Sequence, residues 1–308
     1  RLIRHEQNKG AAAALNTGLA AARGEMISFL GADDLALPGL YRTMSEGLDE
    51  HPQAPFACGE IAIVGDEGGI RGVRPLTPAA FSGGYLSPET VSRRIRRTDN
   101  WICNTTVVYR TQALHRAGGF DESLGAFCDG VLVRLLAFEH GFVFQPGLFG
   151  VWRVAAETIS AQSFLDKDAR IELTAKVLDR LRSPVITRLA PGYPELFARR
   201  LRFSAARTLL TWAGENAEPA TLAEAAGLGA GDERLLDAIR RTVGFGRFGR
   251  LLALAWFTLR LHPFSLLHLA VNAVRNQFLK RRHAARVAAA IARMEQLGRR
   301  LTGAGEAA

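Results

Sequence analysis

The sequence predicts an α/β domain over residues 1–163, followed by a helical carboxy-terminal region over residues 164–308. Three observations lead there. An apolar run, Met26 to Leu30, drives into two adjacent carboxylates, Asp33 and Asp34, and Pro38 follows four residues after the second. Strand-length apolar segments alternate with helical ones as far as about residue 160, the pattern of α/β architecture. From Phe164 the strand signals fade, and apolar residues recur at helical spacing over 166–182, 194–213, 219–226 and 231–242. The boundary falls near 160–165, and 308 residues suffice for two domains of about 100–200 residues each.

Each element has a local reason. Arg1 to Arg4 reads as the tail of a strand. Residues 11–23 are Ala-rich and predict a helix. Met26–Leu30 is expected as a buried strand, and Pro38 to about Glu50 as a helix with proline at its start. Phe56–Val64 reads as a strand, with Gly65–Gly72 turning a hairpin toward Val73. Residues 75–90 are rich in Pro, Ser and Gly and read as a loop, then Thr90–Arg97 as a short basic helix. Cys103–Tyr109 is β-branched and predicts a strand. Thr111–Ala117 is a helix closed by Gly118-Gly119. Asp129–His140 is a helix ending at Gly141, and Phe142–Val154 holds one or two strands.

Composition narrows the class. Three cysteines, odd in number and unpatterned, argue against a disulfide scaffold and fit a reducing cytosol. No signal peptide is visible. The net charge of +9 is unevenly spread: residues 1–165 carry −2, residues 166–239 carry zero, and residues 240–308 carry +11. Basic character therefore belongs to the tail, which predicts an anionic membrane surface as partner and not nucleic acid. Trp256 and Phe257 sit in an apolar run and not among the bases, where stacking residues would be. Within Leu251–Val274, Arg260 and Pro263 interrupt a stretch that would otherwise approach spanning length. Two short interfacial helices are the expectation, with burial against the rest of the chain, or spanning, as alternatives.

The acidic pair carries the chemistry. Hard divalent cations prefer oxygen ligands, and Mg²⁺ is commonly held by one or two carboxylates plus substrate phosphates. A strand running into Asp-Asp places such ligands at the carboxyl edge of a sheet, where open α/β folds bind nucleotides. A turn cap is the alternative role for Asp34. The histidines have no metal spacing, and there is no P-loop, Cys-x-x-Cys or Gly-x-Ser-x-Gly motif.

The flanking motifs add a resemblance. Asn8-Lys-Gly10, Ala14-Leu-Asn16-Thr-Gly18 and Ala22-Arg-Gly24-Glu25 precede the acidic pair and Pro38. A second block runs Gly118-Gly119-Phe120-Asp121-Glu122, then Asp129 nine residues after Phe120, then Arg134-Leu135 and His140-Gly141-Phe142. In this order, over about residues 1–160, the chain resembles the family 2 glycosyltransferases of the GT-A fold, a Rossmann-like nucleotide-diphospho-sugar transferase core.

That resemblance implies a metal-dependent, inverting transfer of a sugar from a nucleoside diphosphate to an acceptor hydroxyl on a glycan or lipid-linked acceptor, in cell-surface polysaccharide or glycolipid synthesis. It implies Mg²⁺ or Mn²⁺ on Asp33 and Asp34, donor contacts from Asn8, Gly10, Asn16, Asp33 and Arg153, and Asp129 as general base. Trp152-Arg153 and Thr158-Ile-Ser160 resemble the segment that closes such sites. For Asp129 the alternative is the N-cap of its helix, and for Arg153 a surface position. Asp121 and Glu122 are expected to shape the turn after Gly119. The chain departs from the family at Gly31 and Cys128, where many members carry acids, and the spacing from Asp129 to Arg134 is one residue shorter than common.

The resemblance also implies that family members carry roughly one βαβ unit, about 30 or more residues, ahead of the Asn8 block. The chain is thus expected to be a fragment, inactive alone, of a cytoplasmic protein peripheral to the inner face of the cell membrane. Two other readings stay open. One is a catalytically degenerate GT-A-like binding or scaffold module, and the other a nucleotidyltransferase on a related fold.

Overall fold

The computed structural model describes residues 1–65, 69–75, 83–95, 102–154, 167–261 and 266–305. Thr158–Ser160, the boundary at 160–165, Arg96-Arg97, much of the 75–90 loop and the break at His262-Pro263 lie outside the described residues.

Seven strands form one mixed sheet: β1 (Met26–Ser28), β2 (Leu35–Ala36), β3 (Phe56–Val64), β4 (Ile70–Arg74), β5 (Gly84–Leu86), β6 (Val108–Arg110) and β7 (Phe142–Arg153). The spatial order is β1-β6-β3-β7-β2, with β4 added to β3 and β5 to β7. Among the described residues only β3 and β7 run parallel, from Ala57 opposite Val143 to Val64 opposite Arg153. Each of these long strands changes partner along its other edge. β3 pairs first with β6 and then with β4, while β7 pairs first with β5 and then with β2.

Alternation along the strands explains why both long strands read as continuous apolar runs. Ala57, Val108 and Val143 face α2 (Leu40–Glu50), where they meet Leu40, Met44 and Leu48. Phe56, Tyr109, Phe142 and Phe144 face the opposite side, toward α1 (Ala11–Ala21) and α5 (Cys128–His140). A sheet covered by helices on both faces has no polar side. Aromatic pairs lock that second face. Phe56 stacks on Phe142 with centroids 5.1 Å apart, and Phe29 meets Phe120 edge-on at 5.1 Å. The helices α3 (Pro88–Ile95) and α4 (Thr111–Arg116) complete this part.

Several boundaries differ from expectation. The first strand is shorter than Met26–Leu30 and half-buried, because β1 lies at the sheet edge with β6 as its one partner, and Leu30 is 44% exposed. Pro38 stands outside α2, whose N-cap is Gly39 at φ 95°, so proline ends the acidic turn and does not open the helix. Asn104–Thr106 is a 3-10 turn ahead of β6, where a strand was expected from Cys103. The Gly84–Leu86 strand was read as loop.

The carboxy-terminal region is helical, as the periodicity predicts: α6 (Lys167–Leu181), α7 (Pro184–Leu189), α8 (Tyr193–Ala213), α9 (Pro219–Ala226), α10 (Ala230–Val243), α11 (Arg247–Leu261) and α12 (Leu266–Gly305). Leu210, Leu222, Leu236, Ala253 and Phe257 form a core of their own among α8 to α11. The expected pair of short helices at 251–274 is different in form. Its first half belongs to α11, and its second half begins the 40-residue α12. Among the described residues no helix is long and apolar enough to cross a membrane.

α12 returns to the sheet. Leu279 and Val287 are buried with Leu37, Val73, Leu148 and Val151. Asn276 Oδ1 accepts the Val73 amide at 3.1 Å, covering the outer edge of β4, and Arg286 donates to the Pro38 carbonyl at 3.3 Å. Beneath them Glu60 is 7% exposed. Burial pushes its carboxyl up, opposed by the charges of Arg275 and Arg282 on α12. Part of the tail is therefore core. Leu279→Ala is expected to cost about 2–5 kcal/mol, read from the urea midpoint of the whole chain.

Candidate functional site

β1 ends in a tight turn. The Asp34 amide donates to the Gly31 carbonyl at 3.1 Å, which leaves Asp33 exposed at the tip and turns Asp34 inward. Asp34 Oδ2 accepts from Thr105 Oγ1 at 2.7 Å, and Oδ1 accepts from the Arg153 amide at 3.1 Å. Asp34 thus anchors its turn to two distant segments, which is more than a local cap does. Burial raises its pKa, the two hydrogen bonds lower it, and the Asp33 charge adds to the rise. Gly31 shapes this pair. A Cβ there would lie 2.9 Å from Asp33 Oδ1 and 3.2 Å from Asp34 Oδ2, so the bare backbone lets both carboxylates fold close against it.

The 3-10 turn after Cys103 supports this acidic turn. Thr105 holds Asp34, and Thr106 Oγ1 donates to the Gly59 carbonyl at 3.0 Å. Cys103 Sγ lies 4.0 Å from Thr105 Oγ1, and the Tyr109 hydroxyl donates to Asn104 Oδ1 at 2.8 Å. Burial pushes the Cys103 thiol up to about 11, with the nearby Asp129 charge adding to the rise. Sequence reasoning missed the role of this turn because Val107-Val108-Tyr109 dominates the local propensity. The signal available was the polar triplet Asn104-Thr105-Thr106 lying between apolar neighbours.

Asp129 lies in the first turn of α5, but Phe127 is the N-cap, so the N-cap alternative for Asp129 does not hold. Its Oδ1 accepts the Gly130 amide at 2.6 Å. Burial raises the Asp129 carboxyl above its ordinary range, opposed by that amide and by the Arg134 charge. Arg134 is fixed in turn. Its Nη1 donates to the Gly130 carbonyl at 2.6 Å, its Nε donates to the Tyr193 hydroxyl at 3.0 Å, and its guanidinium lies 4.9 Å over the Phe197 ring. The preceding Cys128 is buried, and burial pushes its thiol up to about 12, so the side chain is neutral there.

The amino-terminal residues divide into two groups. Asn8 is exposed, and its Oδ1 accepts the Gly10 amide at 2.9 Å, setting the turn before α1. Gly10, at φ 86°, is the N-cap of α1. Asn16, expected beside the donor, is instead committed to the second motif block. Its Oδ1 accepts the Phe120 amide at 2.8 Å, and its Nδ2 donates to the Phe120 carbonyl at 2.8 Å and to Glu122 at 3.1 Å. Gly119 makes this clamp possible, since at φ 76° it is left-handed and a Cβ would come within 2.7 Å of Asn16 Oδ1. Asp121 caps the following 3-10 turn through Ser123 and pairs with Arg180 at 2.7 Å, the turn-shaping role expected of it.

Arg153 ends β7 beside the acidic turn. Its amide holds Asp34, and its half-buried side chain keeps Nε away from solvent with no hydrogen-bond acceptor among the described residues. Next to it, Arg74 lies 5.0 Å over the Trp152 ring. Among the described residues no three His, Cys, Asp or Glu side chains converge as a metal cluster.

Comparison with known proteins follows these motifs. No curated protein matches the chain. Solved structures similar to it include TarS 1–349 of S. aureus in complex with UDP-GlcNAc, at 16% identity and TM-score 0.48, covering 78% of this chain and 64% of that one. Another is the mannosyltransferase PcManGT of Pyrobaculum calidifontis in complex with GDP-Man and Mn²⁺, at 20% identity and TM-score 0.46, covering 90% and 69%. The chain thus spans about two thirds of the length of either. Residues 1–122, which hold the Asn8 block, the acidic pair and the Gly118–Glu122 block, match the family model described as Glycosyl transferase family 2, the family that these motifs resemble.

Proposed function

We propose that the protein to which this chain belongs is an inverting glycosyltransferase that moves a sugar from a nucleoside diphosphate to an acceptor hydroxyl. The observation that carries this reading is the acidic turn, with Asp33 exposed at its tip and Asp34 held by Thr105 and Arg153. The donor set suits a hard cation. Asp33 is exposed, and among the described residues each Asp34 oxygen accepts one hydrogen bond, leaving a lone pair on each. Asp33, with Asp34 behind it, would hold Mg²⁺ or Mn²⁺, which supplies charge neutralisation for a leaving diphosphate. The buried Arg153 Nε is a donor suited to phosphate oxygen. Asn8 and Gly10 would border the donor.

Asp129 would take the acceptor proton. A raised carboxyl pKa brings a general base closer to working pH. One base and direct displacement invert the anomeric centre. The acceptor would be a glycan or lipid-linked hydroxyl in surface polysaccharide or glycolipid synthesis, at the cytoplasmic face of a membrane.

The test is calorimetric titration of UDP and GDP, with and without Mn²⁺ or Mg²⁺, into the whole protein. Metal-dependent binding is expected. A folded protein that binds neither nucleotide would leave the degenerate binding module as the better account, a reading that the neutral residues Gly31 and Cys128 favour.

A further inference from the structure

We infer that the outer face of α11 is a docking face for an anionic lipid surface. This carries the membrane-side part of the preceding reading to named residues and does not depend on sugar transfer. Phe248, Leu251, Leu252 and Leu259 fall within one stripe of α11 at helical spacing and are 62%, 59%, 39% and 62% exposed. On α12, Val274 and Phe278 are 73% and 62% exposed. The opposite face of α11 is already occupied, because Ala253, Phe257 and Leu261 are buried in the helical core. The stripe is therefore surplus to what α11 needs for packing, and contiguous exposed apolar surface of this kind marks an interaction site.

Charge selects the occupant. Residues 238–294 contain eleven Lys and Arg and no Asp or Glu. Arg240, Arg241 and Arg260 pair with Glu218, Asp237 and Asp232, so the bases beside the stripe on α11 are Arg247 and Arg250. Arg247 is exposed at the start of α11, beside Phe248. An apolar stripe flanked by bases is the pattern of a helix lying in a lipid interface, its apolar side chains among the acyl chains and its bases at the headgroups. Each base near an anionic membrane strengthens binding about fivefold. The inner face of α12 does not take part, since Leu279 and Val287 are held in the sheet core.

The test is co-sedimentation of the whole chain with phosphatidylcholine vesicles, with and without about one third phosphatidylglycerol, in the absence of donor and acceptor. The whole chain is expected to sediment with the anionic vesicles and to stay in solution with the neutral ones. Replacing Phe248, Leu251, Leu252 and Leu259 together by Ser should weaken binding by ~100-fold or more, while circular dichroism and the urea midpoint stay unchanged. Arg247→Gln with Arg250→Gln, which leaves the stripe intact, should weaken it about fivefold per charge. Absence of anionic-vesicle binding by the unmodified chain would overturn the inference, as would unchanged binding by the quadruple variant. A dimer in solution that the quadruple variant dissolves, without vesicle binding, would assign the face to a second copy of the chain. Loss of nucleotide binding with vesicle binding kept would count against the catalytic reading alone.

Discussion

Asp129→Asn in the full-length protein should lower turnover by about 10²–10⁴-fold while nucleotide affinity stays nearly constant. The substitution keeps size and the hydrogen bond to the Gly130 amide but removes the proton acceptor. The carboxyl pKa is raised chiefly by burial, with Gly130 and Arg134 pulling it down. The acid limb of kcat/KM should accordingly lie above the ordinary aspartate range, with activity rising as pH increases through it. Arg134→Gln should move that limb further up, because the positive charge that favours the ionised form is lost. The same shift makes a statement about stability. A carboxyl whose folded pKa is raised favours the native state below its unfolded pKa, and that contribution is lost as pH rises through the folded value. At neutral pH, Asp129→Asn should therefore raise the melting temperature while it lowers turnover. Turnover retained in this variant would remove Asp129 from the mechanism.

Asp33→Ala should abolish metal-dependent nucleotide binding and leave the fold intact. Asp33 is exposed at the tip of the turn, and the turn itself is held by Asp34 through Thr105 and Arg153. Removing Asp33 thus deletes a ligand without removing an anchor. Asp34→Ala is different, since it would leave the Thr105 hydroxyl and the Arg153 amide without their acceptor, at a cost of about 1–3 kcal/mol each where buried. A titration of UDP with Mn²⁺ separates the two. The Asp33 variant should keep its unfolding midpoint and lose binding, whereas the Asp34 variant should lose both. Nucleotide binding by Asp33→Ala that still requires metal would exclude this residue as a ligand.

Much of the fold was legible because local and tertiary preferences agree. Phe56–Val64 is buried on both faces, so its apolar run and its strand coincide to the residue. Gly118-Gly119 closes α4 where the sequence places a stop. Reading failed where long-range pairing decides. Met26–Leu30 has the composition of a buried strand, but its burial depends on which strands flank it, and only β6 does. The Cys103–Thr106 segment has strand propensity, but its side-chain hydroxyls are recruited by Gly59 and Asp34, 47 and 71 residues away. The site was legible in its carboxylates and opaque in what supports them. Asn16 shows the difference, because its motif marks it as important while its grip on Phe120, 104 residues away, exists only in the fold. The tail misled for a related reason. Its basic, partly apolar composition describes both an interfacial helix and a core helix, and α12 has one face of the latter kind.

That last packing has a consequence for biosynthesis. Val73 meets Asn276 across 203 residues, and Pro38 meets Arg286 across 248. At ribosomal rates of about 5–20 residues per second, the sheet face bearing Val73 must wait roughly 10–40 seconds for the helix that covers it. During that interval Val73, Leu148 and Val151 are denied their final partners, and the open edge of β4 is a template for strand pairing with other nascent chains. A ribosome stalled shortly before Leu279 should therefore display a nearly complete sheet that is sticky, bound by chaperones and cut by proteases. Emergence of α12 from the ribosome would close it. The last long helix thus sets when this sheet stops being a folding intermediate.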